Sequence, residues 1–276
     1  MHITVTLAQI AIEDGAPQAN LAHMQDVIAR CDPATELLVF PETTLCGFPT
    51  AETVAAVAQT MDGEHVQALR RAARDRGIAI VAGLAEHDQD RYYNTSIFID
   101  DNGDVLMRYR KTHLYATDIG LFTQGDRFSV TTWRGIRIGL LICFDIEFPE
   151  TARAIAAMDA DLLIVSDGLM HPYSAVHQRA IVARSMENQF FSLLANRCGS
   201  GASGLEFCGG SCIADPYGDL YAVAGQDACL LTAGIDFTHI RASRKAFRYL
   251  HLRRPTAVAA PCSSSAASPV SESLIP

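Results

Sequence analysis

Apolar runs alternate along the chain with stretches in which apolar residues recur every three or four positions. Leu21, Met24 and Ile28 show the second pattern, which is that of a helix with one buried face. Continuous or strictly alternating apolar runs are typical of buried strands. The two patterns predict strands at 3–12, 36–40, 78–86, 136–143, 161–167, 190–197, 211–215 and 229–236, and helices at 16–31, 64–77, 148–160 and 174–188.

The stretch 93–111 has two alternating runs on either side of Asn102-Gly103, the strongest short hairpin signal. A hairpin pairs its strands antiparallel, whereas strands joined through helices pair in parallel. The pattern therefore predicts an α/β fold with mixed sheets. The end of the chain, 255–276, is rich in Ser, Ala and Pro and is expected to be a flexible tail after one domain at 1–254.

Composition and net charge limit the kinds of partner that the protein is expected to bind. The chain has 276 residues, 49% of them hydrophobic, and a net charge of −9, so nucleic acid and anionic membranes are poor partners. No apolar run reaches the roughly 18 residues of a membrane span, and the N-terminus resembles a strand rather than a signal peptide. Eight irregularly spaced cysteines indicate reduced thiols in a cytoplasmic protein.

Three chemically reactive side chains follow predicted strands. Glu42 comes after 36–40, Lys111 after the second hairpin strand, and Cys143 at the end of 136–143. Ligands of open α/β sheets bind beyond the carboxyl ends of the strands. A carboxylate, an ammonium group and a thiol are therefore expected to meet at one edge of the sheet. The opposing interpretation of Cys143 is a buried core cysteine, because free cysteines are usually buried.

The three groups form a plausible catalytic set. A thiol becomes a strong nucleophile only when it loses its proton, which the Glu42 carboxylate could accept and later give to a leaving amine. The Lys111 ammonium group would favour the thiolate of Cys143 and stabilise an oxyanion. The backbone N–H of Phe144, next to the thiol, is a second candidate oxyanion donor.

Other segments of the chain raise the possibility of other chemistries. His113, His171 and His177 lie near these segments and leave open a Cys-His hydrolase. The acidic stretch 100–104 lacks the calcium-loop pattern and fits a hairpin turn, and the glycine-rich stretch 199–204 lacks the features of a phosphate loop. Neither a metal site nor a cofactor site is predicted.

Five ordered motifs carry a resemblance to a known family. They are LLVFPETTLCGF at 37–48, MRYRKTHLY at 107–115, GLLICFDIEFPE at 139–150, ARSMENQFF at 183–191 with ANRCG at 195–199, and GGSCIADPYGD at 209–219. Together they resemble the nitrilase superfamily of carbon–nitrogen hydrolases. The resemblance implies a four-layer αββα sandwich with Glu42 as general base, Lys111 as oxyanion-stabilising lysine and Cys143 as nucleophile.

The resemblance also implies amide, nitrile or carbamoyl chemistry through a thioacyl intermediate, without metal or organic cofactor. It implies a homodimer or higher homo-oligomer, with 148–160 and 172–188 at the interface. Many members have a second glutamate where this chain has Asp118, whose shorter carboxylate is expected to orient Lys111 or the substrate. His113 is expected to support the triad, and His171 to line the pocket and set substrate preference.

The residues after the nucleophile, Cys143-Phe144-Asp145, look most like those of amidases acting on short aliphatic or ω-amides. The predicted reaction is therefore hydrolysis of a small carboxamide to acid and ammonia. An N-carbamoyl amine hydrolase, a nitrilase and an inactive oligomeric binding protein are the alternatives. The acids Asp145, Glu147 and Glu150 are expected to orient the loop and to begin the next helix.

Overall fold

Two six-stranded mixed sheets face each other in the computed structural model, which describes residues 1–246 and 248–254. The predicted tail at 255–276 lies outside the described residues. Helices cover the outer face of each sheet, so the predicted four-layer αββα sandwich is confirmed. The helices are α1 Pro17–Arg30, α2 Val54–Val57, α3 Glu64–Arg76, α4 Pro149–Ala157, α5 Val176–Asn188, α6 Thr238–Ala246 and α7 Tyr249–Leu252.

The strands divide into two large sheets and one small pair. They are β1 His2–Gln9, β2 Leu37–Val39, β3 Ala79–Asp88, β4 Arg91–Ile99, β5 Val105–Arg110, β6 Val130–Trp133, β7 Ile136–Ile142, β8 Leu162–Asp167, β9 Phe191–Asn196, β10 Cys198–Ser200, β11 Glu206–Cys208, β12 Cys212–Ala214, β13 Leu220–Val223 and β14 Cys229–Asp236. The first sheet has the order β14-β1-β2-β3-β4-β5, and the second has the order β13-β12-β9-β8-β7-β6. Central strands pair in parallel and outer strands antiparallel in both sheets.

Alternation along the strands assigns side chains to the layers. Leu37 and Val39 of β2 point into the core between the sheets, whereas Leu38 and Phe40 pack beneath α1 and α3. All four side chains are fully buried. A strand with apolar residues on both faces must be covered on both sides, which explains why its sequence is a continuous apolar run.

The end of α3 and the turn of the hairpin lie where the sequence predicts them. Gly77, at φ 70°, ends α3, and its N–H donates to Ala73 and Arg74 carbonyls. The hairpin at 93–111 is confirmed, since the Asp100 carboxylate accepts the N–H groups of Asn102 and Asp104 in the turn. These two hydrogen bonds explain why an acidic residue occupies this position of the turn.

The three reactive residues do not share one sheet, so the expectation of a single sheet edge was wrong. Glu42 and Lys111 follow β2 and β5 of the first sheet, and Cys143 follows β7 of the second. The sequence pattern identifies strands but not their partition into sheets, because pairing joins strands distant along the chain. No helix within the described residues is long and apolar enough to span a membrane.

Gly83 of β3 lies against the loop that carries Glu42. A Cβ atom at Gly83 would come 2.4 Å from the backbone nitrogen of Thr43 and 2.7 Å from the Pro41 carbonyl oxygen. We expect Gly83→Ala to lower the free energy of unfolding by about 1–3 kcal/mol, because backbone atoms must move. Urea denaturation measures this change. Gly225→Ala, where a Cβ meets nothing within 4 Å, is the control, and equal stability of both variants would contradict the prediction.

Candidate active site

Glu42 lies on the loop after β2 with its carboxylate buried between the sheets. Its Oε1 accepts hydrogen bonds from Lys111 Nζ at 2.7 Å and Asn94 Nδ2 at 2.8 Å. Its Oε2 is buried and has no hydrogen-bond partner among the described residues. Burial raises the pKa of Glu42, and the Lys111 charge opposes that rise only in part. Oε2 is therefore the atom able to accept a proton.

Lys111 follows β5 and is almost fully buried. Its Nζ donates to Glu42 Oε1 and to Asp118 Oδ2, both at 2.7 Å. Burial alone would lower the pKa of Lys111, but the charges of Glu42 and Asp118 and the hydrogen bond to Asp118 outweigh it and hold the pKa well above its usual value. Lys111 is therefore a fixed positive charge beside the thiol.

Cys143 begins a 3-10 helix, Cys143–Glu147, directly after β7. Its φ of 44° lies in the left-handed region, which is uncommon for residues other than glycine. Burial raises the pKa of the thiol, and the charges of Glu42 and Asp167 raise it further, against the effect of Lys111. The net rise keeps the resting thiol protonated, so the thiol would need a base to act as a nucleophile.

Asp145 holds the turn that presents the nucleophile. Its fully buried carboxylate accepts hydrogen bonds from the Ile142 N–H at 3.1 Å, the Tyr109 hydroxyl at 2.8 Å and the Thr112 hydroxyl at 2.8 Å. Tyr109 lies on β5 of the first sheet, whereas Asp145 follows β7 of the second. The carboxylate therefore ties the segment around Lys111 to the turn, consistent with the expected loop-orienting role of Asp145.

His113 was expected to support the triad and His171 to line the pocket, and the two side chains have different surroundings. The Nδ1 atom of His113 is 3.0 Å from Asp145 Oδ1, and its ring stacks on Phe148 with centroids 4.0 Å apart. His113 thus packs beside the nucleophile turn, and its support role stays a prediction. His171 is exposed, and it is not among the described residues that line the cavity at Cys143.

Asp118 lies at the end of a 3-10 helix, Ala116–Asp118, and its carboxylate is buried. Its Oδ2 accepts the Lys111 Nζ bond and, at 3.2 Å, the Tyr115 N–H. The structure thus brings Asp118 to Lys111, one of the two positions expected for it. Lys111 consequently lies between two carboxylates, which limit where its Nζ can point.

A second buried charge cluster adjoins Cys143. His177, on the first turn of α5, places Nδ1 2.9 Å from Asp167 Oδ1 and Nε2 3.1 Å from Glu147 Oε1. Burial would lower the pKa of His177, but Asp167 and Glu147 outweigh it and raise the pKa to about 9. His177 is therefore an imidazolium near neutral pH, donating from both ring nitrogens.

Sequence reasoning missed this cluster. His177 was predicted only as a possible base of a Cys-His hydrolase, and Glu147 only as a residue that orients a loop. Asp167 ends β8, so the rule that placed Cys143 at a strand end could have identified it. The contacts to His177 cross 10 and 30 positions of sequence, which no local pattern reports.

The charges of this cluster disfavour two other possibilities, a metal site and a Cys-His hydrolase. Donor atoms of Cys143, Asp167 and His177 lie within 4.8 Å of one another, a spacing that could hold a metal ion. Both nitrogens of His177 point at carboxylates, however, and a metal would have to displace a proton whose pKa is about 9. The same proton makes His177 a poor general base for the thiol, which disfavours the Cys-His hydrolase.

A cavity of about 230 Å³ opens at the nucleophile. Its lining combines aromatic, apolar and charged side chains: Tyr115, Cys143, Phe144, Glu147, Leu169, Met170, Tyr173, Val176 and His177. The Phe144 ring meets Tyr115 edge-on, with centroids 5.3 Å apart. Phe144 therefore contributes a wall of the cavity, and its N–H as oxyanion donor stays a prediction.

Comparison with known proteins identifies the family of the chain. The carbon-nitrogen hydrolase family model matches residues 4–245. An (R)-stereoselective amidase of a Pseudomonas species is 44% identical over 250 residues, 91% of each chain. A double mutant of the Nesterenkonia sp. AN1 amidase in complex with acrylamide has a TM-score of 0.80 at 31% identity, covering 92% of this chain and 94% of that one.

Another mutant of the Nesterenkonia sp. AN1 amidase bears the acetamide moiety of fluoroacetamide covalently at its active-site cysteine. It is 31% identical with a TM-score of 0.76 and covers 88% of this chain and 94% of that one. The matches in sequence and in structure span nearly the whole described chain. The protein belongs to the carbon–nitrogen hydrolase family and is a hydrolase of the nitrilase superfamily.

Proposed function

We propose that the protein hydrolyses a small carboxamide to the carboxylic acid and ammonia through a thioacyl intermediate on Cys143. The observation that carries the proposal is the buried Glu42–Lys111 pair beside the thiol, with Glu42 Oε2 accepting no hydrogen bond from the described residues. The amidase relatives support the choice of a carboxamide. The covalent adduct on the cysteine of the related amidase supports the nucleophile.

Attack begins when the Cys143 sulfur bonds to the amide carbon while Glu42 Oε2 takes the thiol proton. The C=O π electrons move to oxygen, where the Lys111 ammonium group and the Phe144 N–H stabilise the new negative charge. Burial raises the pKa of both Glu42 and Cys143, so Glu42 is a stronger base than an exposed carboxylate. Transfer in concert with attack avoids forming a free thiolate beside two carboxylates.

The tetrahedral intermediate then releases ammonia. The C–N bond breaks, its electron pair stays on nitrogen, and the proton held by Glu42 moves to that nitrogen. A water molecule attacks the resulting thioacyl group while Glu42 accepts one of its protons. The C–S bond breaks, the sulfur regains a proton from Glu42, and the carboxylic acid leaves.

N-carbamoyl amine hydrolysis and nitrile hydrolysis would use the same three residues. The amidase relatives favour a carboxamide over both, and the cavity of about 230 Å³ favours a small substrate. An inactive binding protein would have no need of a buried Glu-Lys-Cys set. Association into a homodimer or larger homo-oligomer stays a prediction.

Cys143→Ala is expected to abolish ammonia release from short amides, because alanine has no sulfur with which to form the acyl bond. The fold should persist, since alanine tolerates the site sterically. Intact mass spectrometry should find an acyl adduct on wild-type Cys143 and none on the variant. Cys229→Ala removes an exposed thiol and should keep full activity. Turnover retained by Cys143→Ala would rule out the mechanism.

Glu42→Gln and Lys111→Met are each expected to lower kcat/KM by about 10²–10⁴-fold, since one removes the base and the other the oxyanion charge. Steady-state ammonia assays measure both. Glu52→Gln and Lys245→Met alter exposed residues and serve as matched controls. If both active-site variants stayed active while a histidine variant lost activity, the Cys-His hydrolase would be the better interpretation.

Asp118→Asn is expected to lower kcat by about 10-fold or more, because Lys111 loses one of the two carboxylates that orient it. Asp118→Glu should retain more activity than Asp118→Asn, since it keeps the charge. Thermal unfolding monitored by circular dichroism separates a loss of fold from a loss of orientation. Equal activity of wild type and Asp118→Asn would exclude an orienting role.

A further inference from the structure

The charges around the nucleophile do not balance. The carboxylates of Glu42, Asp118, Asp167 and Glu147 surround it, against the two cations of Lys111 and His177. Each cation is already paired with two of these carboxylates. Arg184, which donates to the main-chain carbonyl oxygen of Glu147, is itself paired with Glu187. Of the described residues that line the cavity, none is Lys or Arg. The cavity therefore lies in a field of net negative charge, which attracts cations and repels anions.

Glu147 brings this negative charge to the cavity wall. Its Oε1 is 3.1 Å from His177 Nε2, whereas its Oε2 takes no part in that bond. The side chain is 36% exposed, and it lines the cavity together with Cys143. Because Asp167 shares the single charge of His177, Glu147 stays only partly neutralised. A bound group that meets Glu147 is therefore favoured if it is positive and donates hydrogen bonds.

Aromatic side chains complete the wall. Tyr115, Phe144 and Tyr173 line the same cavity, and Tyr115 and Tyr173 are 36% and 47% exposed. An ammonium group beside an aromatic face gains a cation–π attraction that a neutral methyl group lacks. An acid set among aromatic rings is the arrangement that binds organic ammonium ions. A carboxylate placed there would meet Glu147, and the described residues that line the cavity offer no unpaired cation to bind it.

We propose that this cavity selects carboxamides that carry an ammonium group, with Glu147 as the specificity-determining residue. The inference rests on the proposed carboxamide hydrolysis and narrows its substrate class. Within the expected range of short aliphatic and ω-amides, it favours amino amides over neutral alkyl amides. It disfavours the ω-amides of dicarboxylic acids, whose second carboxylate would lie in a negative field.

The test compares three amides of similar length at pH 7: 3-aminopropanamide, butanamide and succinamate. They present an ammonium group, a methyl group and a carboxylate at the end away from the amide. We expect kcat/KM for 3-aminopropanamide to exceed that for butanamide by about tenfold or more, with succinamate slowest. Ammonia release measures all three rates on the full-length protein.

Glu147→Gln should bring the ratio of kcat/KM for 3-aminopropanamide to that for butanamide close to one. Glu150→Gln is the matched control, because Glu150 is an exposed acid of the same segment that does not line the cavity in the described residues. It should leave the ratio unchanged. Tyr173→Leu, a second variant, should lower the ratio by removing an aromatic face while keeping the wall apolar.

The outcomes separate this inference from the proposed function. If butanamide or succinamate is hydrolysed as fast as 3-aminopropanamide, or if the ratio survives in Glu147→Gln, the selection by charge is wrong and the carboxamide hydrolysis stands. Turnover of butanamide by Glu147→Gln shows that the variant is folded. If none of the three amides is hydrolysed and Cys143 gains no acyl adduct, the proposed function fails and this inference with it.

Discussion

The buried ion pair between Glu42 and Lys111 is the constraint on which the site depends. Removing a carboxylate and an ammonium group from water costs several kcal/mol each, so the pair is stable only with close and complete contacts. Asn94 and Asp118 supply those contacts, yet Glu42 Oε2 is left without a hydrogen bond among the described residues. An unpaired buried oxygen is unfavourable in a resting protein. It becomes useful where a proton must be accepted in the next step.

The rest of the fold holds this pair beside the Cys143 thiol. The Glu42 N–H donates to the Asp167 carbonyl oxygen at 3.1 Å, which joins the loop after β2 in one sheet to the end of β8 in the other. Cys143 is held at φ 44° next to that contact, a conformation that costs of order 1–3 kcal/mol. The stability of the two sheets therefore offsets the cost of holding a thiol, a carboxylate and a fixed cation in one place.

Much of the fold could be predicted from periodicity, because long buried elements have a strong local pattern. The strands at 161–167 and 190–197 and the helix at 64–77 lie within a few residues of the observed β8, β9 and α3. Short or exposed elements were missed. Strand β13, Leu220–Val223, is apolar in sequence but only four residues long, and most of its side chains are exposed, so its pattern is too short to distinguish it from a loop.

The sequence by itself determined which residues end the strands and which of them are chemically reactive, because both properties are local to Glu42, Lys111 and Cys143. Only the tertiary structure decided that these residues come from two facing sheets, since strand pairing joins distant segments. It alone also decided that His177 is an imidazolium held between Asp167 and Glu147. A histidine's protonation depends on burial and on charges brought near by folding, and neither is encoded in its sequence neighbours.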